Sequence, residues 1–236
     1  AGGFKEEDLA QLDLSHLHVV ACGAEPIRAA EVQAFVDRFS KVGLRPEVFF
    51  PCYGLAEGTL LLSGGPVNTG LRTDGNVVNC GQVAPGLKLK VVNPDTMEIV
   101  ADGVEGEIWA QGNNVGSGYF KKETETAETF GAKLKTNRNN PYDKYLRTGD
   151  LGYVKNGDLY ITGRLKDLII INGKNFYPQD VEYFTEKFVK AFRSGCVAAF
   201  SIDTGKTEEL VMVAELERTA LDTDAFSVLE KLRVGL

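Results

Sequence analysis

Apolar residues along the chain change their period three times. Leu17–Cys22 (LHVVAC) is a short β-branched run closed by Gly23, the pattern of a buried strand. Glu25-Pro26 then predicts a helix start, because proline suits a first helical turn. Ile27, Ala30, Ala34, Phe35 and Phe39 follow near the helical period, Gly43 closes the segment, and Val48–Phe50 is the next buried strand. Strand, loop, helix, strand is α/β grammar, in which loops after strand carboxyl ends bind ligands.

From Thr69 to Thr162 short alternating runs such as Lys88–Val92, Glu107–Ala110 and Gly152–Val154 predict strands, arranged as a small barrel or open sheet. Asn93-Pro94-Asp95 and Asn156-Gly157-Asp158 are hairpin signals between them. Thr124–Phe130 (TETAETF) is the exception, a short helix that Thr124 could cap. Beyond Gly163 the pattern predicts a strand at Asp167–Ile171, a turn at Gly173–Tyr177 and a helix from Pro178 through about Phe192. Two further strands follow at Cys196–Ser201 and Glu209–Leu216, joined by the polar stretch Asp203–Glu208. These shifts predict a domain boundary near Gly163–Asp167, with no internal repeat or low-complexity tract.

Composition narrows the function classes. A chain of 236 residues with 43% hydrophobic and 25% charged residues is ordinary globular protein, long enough for a real core. A net charge of -7 argues against a nucleic-acid partner, which calls for a basic face. The four cysteines, Cys22, Cys52, Cys80 and Cys196, show no C-x-x-C spacing, and with only two histidines a zinc site has few ligands to draw on. Cys22 and Cys52 read as buried thiols acting as small hydrophobes. Reduced cysteines without a signal peptide predict a cytoplasmic protein, and the longest apolar runs are too short to span a bilayer.

Four constellations carry candidate chemistry. In Cys22-Gly23-Ala24-Glu25-Pro26, small residues after a strand let a flat ligand approach the backbone, although an ordinary strand-to-helix turn has the same look. In Tyr53-Gly54-Leu55-Ala56-Glu57-Gly58-Thr59, Tyr53 offers a face for a purine, and Glu57 is the only carboxylate between Phe49 and Leu62. A lone carboxylate there must be solvated, paired or bound to a cation, and magnesium shared with phosphate oxygens suits it as well as a helix cap or salt bridge does. Asp150, in Thr148-Gly149-Asp150-Leu151-Gly152, can accept hydrogen bonds from both hydroxyls of a ribose or simply form an Asx turn. Arg164, in Gly163-Arg164-Leu165-Lys166-Asp167, has the fork for ribose or phosphate oxygens, or belongs to a solvated linker.

Their order adds what none has alone. GAEP, YGLAEGT, GEIWAQGNNVGSGY, YLRTGDLG and GRLKDLIIINGKNFYPQDVE, spread from about His18 to Leu216, resemble the adenylate-forming superfamily of acyl-CoA synthetases, luciferases and nonribosomal adenylation domains. GAEPIR, YGLAEGTL and NGKNFYPQDVE look most like the fatty acyl-AMP ligases, which activate fatty acids with ATP and pass them to acyl carrier proteins. The resemblance implies that Gly23, Ala24 and Glu25 line an adenine pocket with Gly54 and Ala56 nearby, that Tyr53 stacks on the base, and that Glu57 binds Mg²⁺. It likewise implies that Asp150 and Arg164 hold the ribose and that Lys166 is the hinge of a small C-terminal domain. Gly112 and Gly118 fall in a glycine-containing segment read as structural.

Departures from the pattern matter too. Ala56 stands where many relatives carry a threonine, although the ligase branch commonly shows alanine. The chain has no Ser/Thr/Gly-rich phosphate loop and no terminal Pro-x-x-x-x-Gly-Lys segment; Gly173-Lys174 and Gly205-Lys206 lack that context. Gly64–Asn79, where the ligase branch carries an insertion, is short. The expectation is therefore a partial adenylate-forming α/β fold, the middle-to-C-terminal portion of a longer enzyme. Residues 1–165 would end the large adenylation domain (1–68 α/β, 69–165 strand-rich), and 166–236 would begin the small one. Two rivals stay open: an acyl-CoA synthetase, and a non-catalytic module that binds a nucleotide or acyl-adenylate.

Overall fold

A computed structural model of the protein describes residues 5–137, 139–140, 143–171, 173–204 and 208–220. Asn172, Gly205 and Lys206 lie outside them, as does the end of the chain from 221. The chain divides into two compact units, Ala1–Thr162 and Gly163–Leu236.

The first unit begins with a short helix α1 (Glu6–Leu9), then strand β1 (Val20–Cys22), helix α2 (Ala29–Phe39) and strand β2 (Phe49–Tyr53). Strands β1 and β2 pair in parallel, with Cys22 opposite Pro51. Helix α2 buries Val32, Val36 and Phe39; Val32 and Val36 pack with Phe49 of β2. This is the sequence's α/β grammar with two corrections. The first strand is shorter than Leu17–Cys22 and is not buried: it occupies an edge of its sheet, and Leu17 and Val19 stay exposed. The helix starts at Ala29 instead of beside Pro26, because the Arg28 backbone is extended and bridges to Val77.

Short strands β3 (Ser63–Gly64), β4 (Thr73–Asp74), β5 (Val77–Val78) and β6 (Gln82–Val83) follow. They complete a sheet of order β1-β2-β3-β6 and a β4–β5 pair. Then come β7 (Lys88–Val92), β8 (Gly106–Gln111), helix α3 (Glu123–Phe130), β9 (Leu146–Lys155) and β10 (Asp158–Arg164), whose last two residues belong to the second unit. These four longer strands form an open sheet of order β10-β9-β8-β7, not a barrel. Asn156 and Gly157 both take positive φ, as the two-residue β9–β10 turn requires. Helix α3 has Lys122 at its N-cap without a side-chain bond, so Thr124 sits in the first turn and does not cap it. One apolar cluster, with Tyr53, Leu62, Ile108, Leu146 and Leu159, is shared by residues of both sheets.

In the second unit a 3₁₀ turn (Leu165–Asp167) leads into β11 (Ile169–Ile171) and β12 (Lys174–Phe176), then α4 (Pro178–Phe188), β13 (Phe192–Asp203) and β14 (Glu208–Leu216). The segment expected as a turn at Gly173–Tyr177 is mostly strand β12, antiparallel to β11, with Ile171 opposite Lys174. Helix α4 stops at Phe188, short of Phe192, because Val189 is extended and packs with Ala191, Phe192 and Met212. Ile169, Val181 and Ala199 form this unit's core.

Candidate functional site

Because β1 and β2 are parallel neighbours, the loops after their carboxyl ends emerge side by side. The first loop carries Gly23, Ala24 and Glu25, all exposed. Ala24 takes φ 70, a left-handed conformation that costs a residue with a Cβ about 1–2 kcal/mol and that clusters at ligand sites. A groove of about 350 Å³ takes in Gly23 and Glu25 together with Glu31, Val32 and Phe35 of α2, and neither Tyr53 nor Glu57 lines it.

The second loop is built more tightly. Leu60 folds back so closely that a Cβ on Gly54 would lie 1.5 Å from the Leu60 carbonyl oxygen. Glycine is thus obligatory there. Thr59 and Leu60 both take positive φ, and the turn is closed by the Leu62 amide donating to the Tyr53 carbonyl at 2.9 Å. Ala56 and Glu57 lie on the 3₁₀ turn Ala56–Gly58. The glycine-containing segment from Gly112 to Tyr119 braces this turn from outside. Asn114 Nδ2 donates to the Gly58 carbonyl at 2.6 Å, and the Gly116 amide donates to the Glu57 carbonyl at 2.8 Å. The Tyr119 hydroxyl donates to Glu57 Oε1 at 2.6 Å, and this bond is the main cause that raises the Tyr119 pKa.

Asp150 is brought to the same place by a bulge. Across β8 and β9, Glu107 faces Leu151 and Trp109 faces Arg147, so Thr148, Gly149 and Asp150 stand opposite Ile108 alone. The Tyr53 hydroxyl donates to Asp150 Oδ2 at 2.6 Å, and both residues are only 8% exposed. Tyr53 and Asp150, two positions singled out by sequence, therefore meet directly, and Glu57 follows on the loop that leaves Tyr53. Arg164 ends β10 and Lys166 lies in the following 3₁₀ turn; both are exposed and belong to the second unit.

Three residues that shape this site carried no role in the sequence reading: Tyr119, Glu107 and Arg147. Glu107 could have been found by the reasoning that flagged Glu57, since it is a lone carboxylate within the apolar strand Gly106–Ala110. Cys22 and Cys52 are half-buried, and burial pushes both thiols up; Cys80 is buried more deeply and is pushed up to about 12. None is a poised nucleophile.

The donor set fits magnesium in one specific way. No group of three or more His, Cys, Asp or Glu that could hold a metal occurs among the described residues. Tyr119 occupies Glu57 Oε1, and a single carboxylate oxygen suffices for an ion that takes its remaining ligands from phosphate and water.

Residues 1–120 match the family of AMP-binding enzymes, and the chain belongs to that family. Its fold is that of the adenylate-forming enzymes. A chain from structural and functional studies of fatty acyl-adenylate ligases from E. coli and L. pneumophila superposes with a TM-score of 0.83 at 32% identity, covering 98% of this chain and 43% of that one. The medium-chain-fatty-acid–[acyl-carrier-protein] ligase JamA of Moorena producens is 37% identical over 90% of this chain and 40% of its own length. A long-chain-fatty-acid–AMP ligase of Mycobacterium marinum is 36% identical over 97% of this chain and 42% of its own. The chain thus spans about two fifths of the curated relatives it matches. No described helix is long and apolar enough to cross a membrane.

Proposed function

We propose that the chain forms the ribose and magnesium side of a fatty acyl-AMP ligase, which joins a fatty acid to ATP as acyl-AMP with release of pyrophosphate. The observation that carries this is the 2.6 Å bond that joins Tyr53 to Asp150, with Glu57 on the loop that follows Tyr53. The names of the relatives, fatty-acid–AMP ligases and an acyl-carrier-protein ligase, support the substrate class. A carrier protein as acceptor is also supported by the JamA name, and the four free cysteines suit a reducing, cytoplasmic setting.

In this reading the backbone of Gly23, Ala24 and Glu25, with Gly54 and Ala56 beside it, reads the adenine edge, and the small exposed part of the Tyr53 ring meets its face. The Asp150 carboxylate accepts both ribose hydroxyls, and Arg164 is a second candidate ribose ligand by its place in the family pattern. Glu57 would hold Mg²⁺, and the chemistry the ion would supply is neutralisation of phosphate charge. No protein nucleophile is needed, because alignment and charge stabilisation supply the acceleration. Residues 1–165 close the large domain, and 166–236 turn about Lys166 between the two half-reactions.

In a protein of its relatives' full length, the chain should support formation of acyl-AMP from ATP and a fatty acid and delivery of the acyl group to a phosphopantetheinylated carrier protein. Efficient delivery to coenzyme A would instead make it an acyl-CoA synthetase. Nucleotide binding without pyrophosphate exchange would leave a binding module.

A further inference from the structure

Glu107 is nearly solvent-free, at 1% exposure, in the middle of a strand whose neighbours Ile108 and Trp109 are wholly buried. Sheet stability alone favours an apolar residue there, since a buried ion pair is weakly stabilising at best. Instead its carboxylate collects donors from three residues. Trp109 Nε1 donates to Oε2 at 2.9 Å. Arg147 Nη2 donates to the same oxygen at 2.7 Å, and its Nε spans both oxygens at 3.0 and 3.2 Å. The Gly149 amide donates to Oε1 at 3.3 Å.

That last bond reaches the bulge that presents Asp150. Gly149 takes φ +72 immediately before Asp150, while the Asp150 amide donates to Thr148 Oγ1 at 3.1 Å and Thr148 Oγ1 donates to the Ile108 carbonyl at 2.7 Å. Every backbone turn that aims Asp150 is therefore tied to β8, and Glu107 is the charged tie. We propose that Glu107, fixed by Arg147 and Trp109, is a positioning residue that holds the Thr148–Asp150 bulge in the shape that directs Asp150 at the ribose hydroxyls. This rests on the reading of Asp150 as the ribose ligand.

The test compares binding of AMP and of its 2′,3′-dideoxy analogue to the chain by calorimetry. Glu107→Gln, which replaces the charged acceptor by an amide, should weaken AMP about tenfold and leave the dideoxy analogue unchanged, because only the hydroxyl contacts depend on where Asp150 points. In an Asp150→Ala background, Glu107→Gln should have no further effect. Equal weakening of both ligands, no weakening of AMP, or an additive effect beside Asp150→Ala would overturn the positioning role. Failure of the Asp150 reading itself shows differently: the unmodified chain would bind AMP and the dideoxy analogue alike. Should Glu107→Gln not fold, Gly149→Ala decides the matter. Its Cβ meets open space, so it strains only the positive-φ bulge, and it must show the same selective loss for AMP.

Discussion

Replacing Tyr53 by phenylalanine removes one oxygen and keeps the ring, so the apolar packing of Tyr53 with Leu62 and Ile108 is preserved and no sizeable cavity forms. What is lost is a 2.6 Å bond to Asp150 between two residues that are each 8% exposed, where water does little to compensate. A hydrogen bond to a charged group contributes about 1.5–3 kcal/mol. The first unit should lose stability by that amount, and at roughly 2–4 °C per kcal/mol its unfolding midpoint should fall by roughly 3–12 °C. The protein provides its own probe. Its single tryptophan, Trp109, is fully buried in the first unit, so urea unfolding followed by fluorescence reports that unit. A loss below about 0.5 kcal/mol, the scatter typical of neutral substitutions, would show that the tyrosine does not hold the carboxylate.

Two further perturbations probe the loops and the strand-rich region. Gly54→Ala forces a Cβ into the Leu60 carbonyl, so it should cost about 2 kcal/mol or more and raise the exchange rate of the Leu62 and Gly116 amides that close and brace the turn; unchanged protection of both would contradict the packing described. Tyr153 is pushed up to about 12, first by burial and then by donating to Asp74 at 3.0 Å. A raised folded-state pKa means that the neutral phenol's contribution is complete below about pH 10 and is lost as pH rises toward 12. Tyr153→Phe should therefore flatten the fall of the urea midpoint over that window, and a slope equal to that of the unmodified protein would refute the assignment.

How far the sequence revealed this molecule depended on range. Local signals held where the chain's own chemistry decides the outcome, as at the Asn156-Gly157 turn, which needs two positive φ values, or at Pro178, which opens helix α4. They failed where a distant partner intervenes. The Arg28 bridge to Val77 delays helix α2, and the packing of Val189 with Met212 ends helix α4 early. The site follows the same rule. Tyr53, Glu57 and Asp150 stood out as residue types in suitable turns, but nothing local shows that residue 53 bonds residue 150, or that Tyr119 holds Glu57. Glu107 was hidden for a related reason: its partners Arg147 and Gly149 come from the next strand, and a β-bulge, invisible to an alternating pattern, creates the contact.

The central claim is that Asp150 holds the ribose of an adenylate within this chain, and AMP binding to Asp150→Ala tests it most directly. Loss of charge-assisted bonds to the ribose hydroxyls, about 1.5–3 kcal/mol, should raise the Kd roughly 10- to 150-fold while the fluorescence of Trp109 confirms an intact first unit. A folded Asp150→Ala variant that binds AMP as tightly as the unmodified chain would contradict the account.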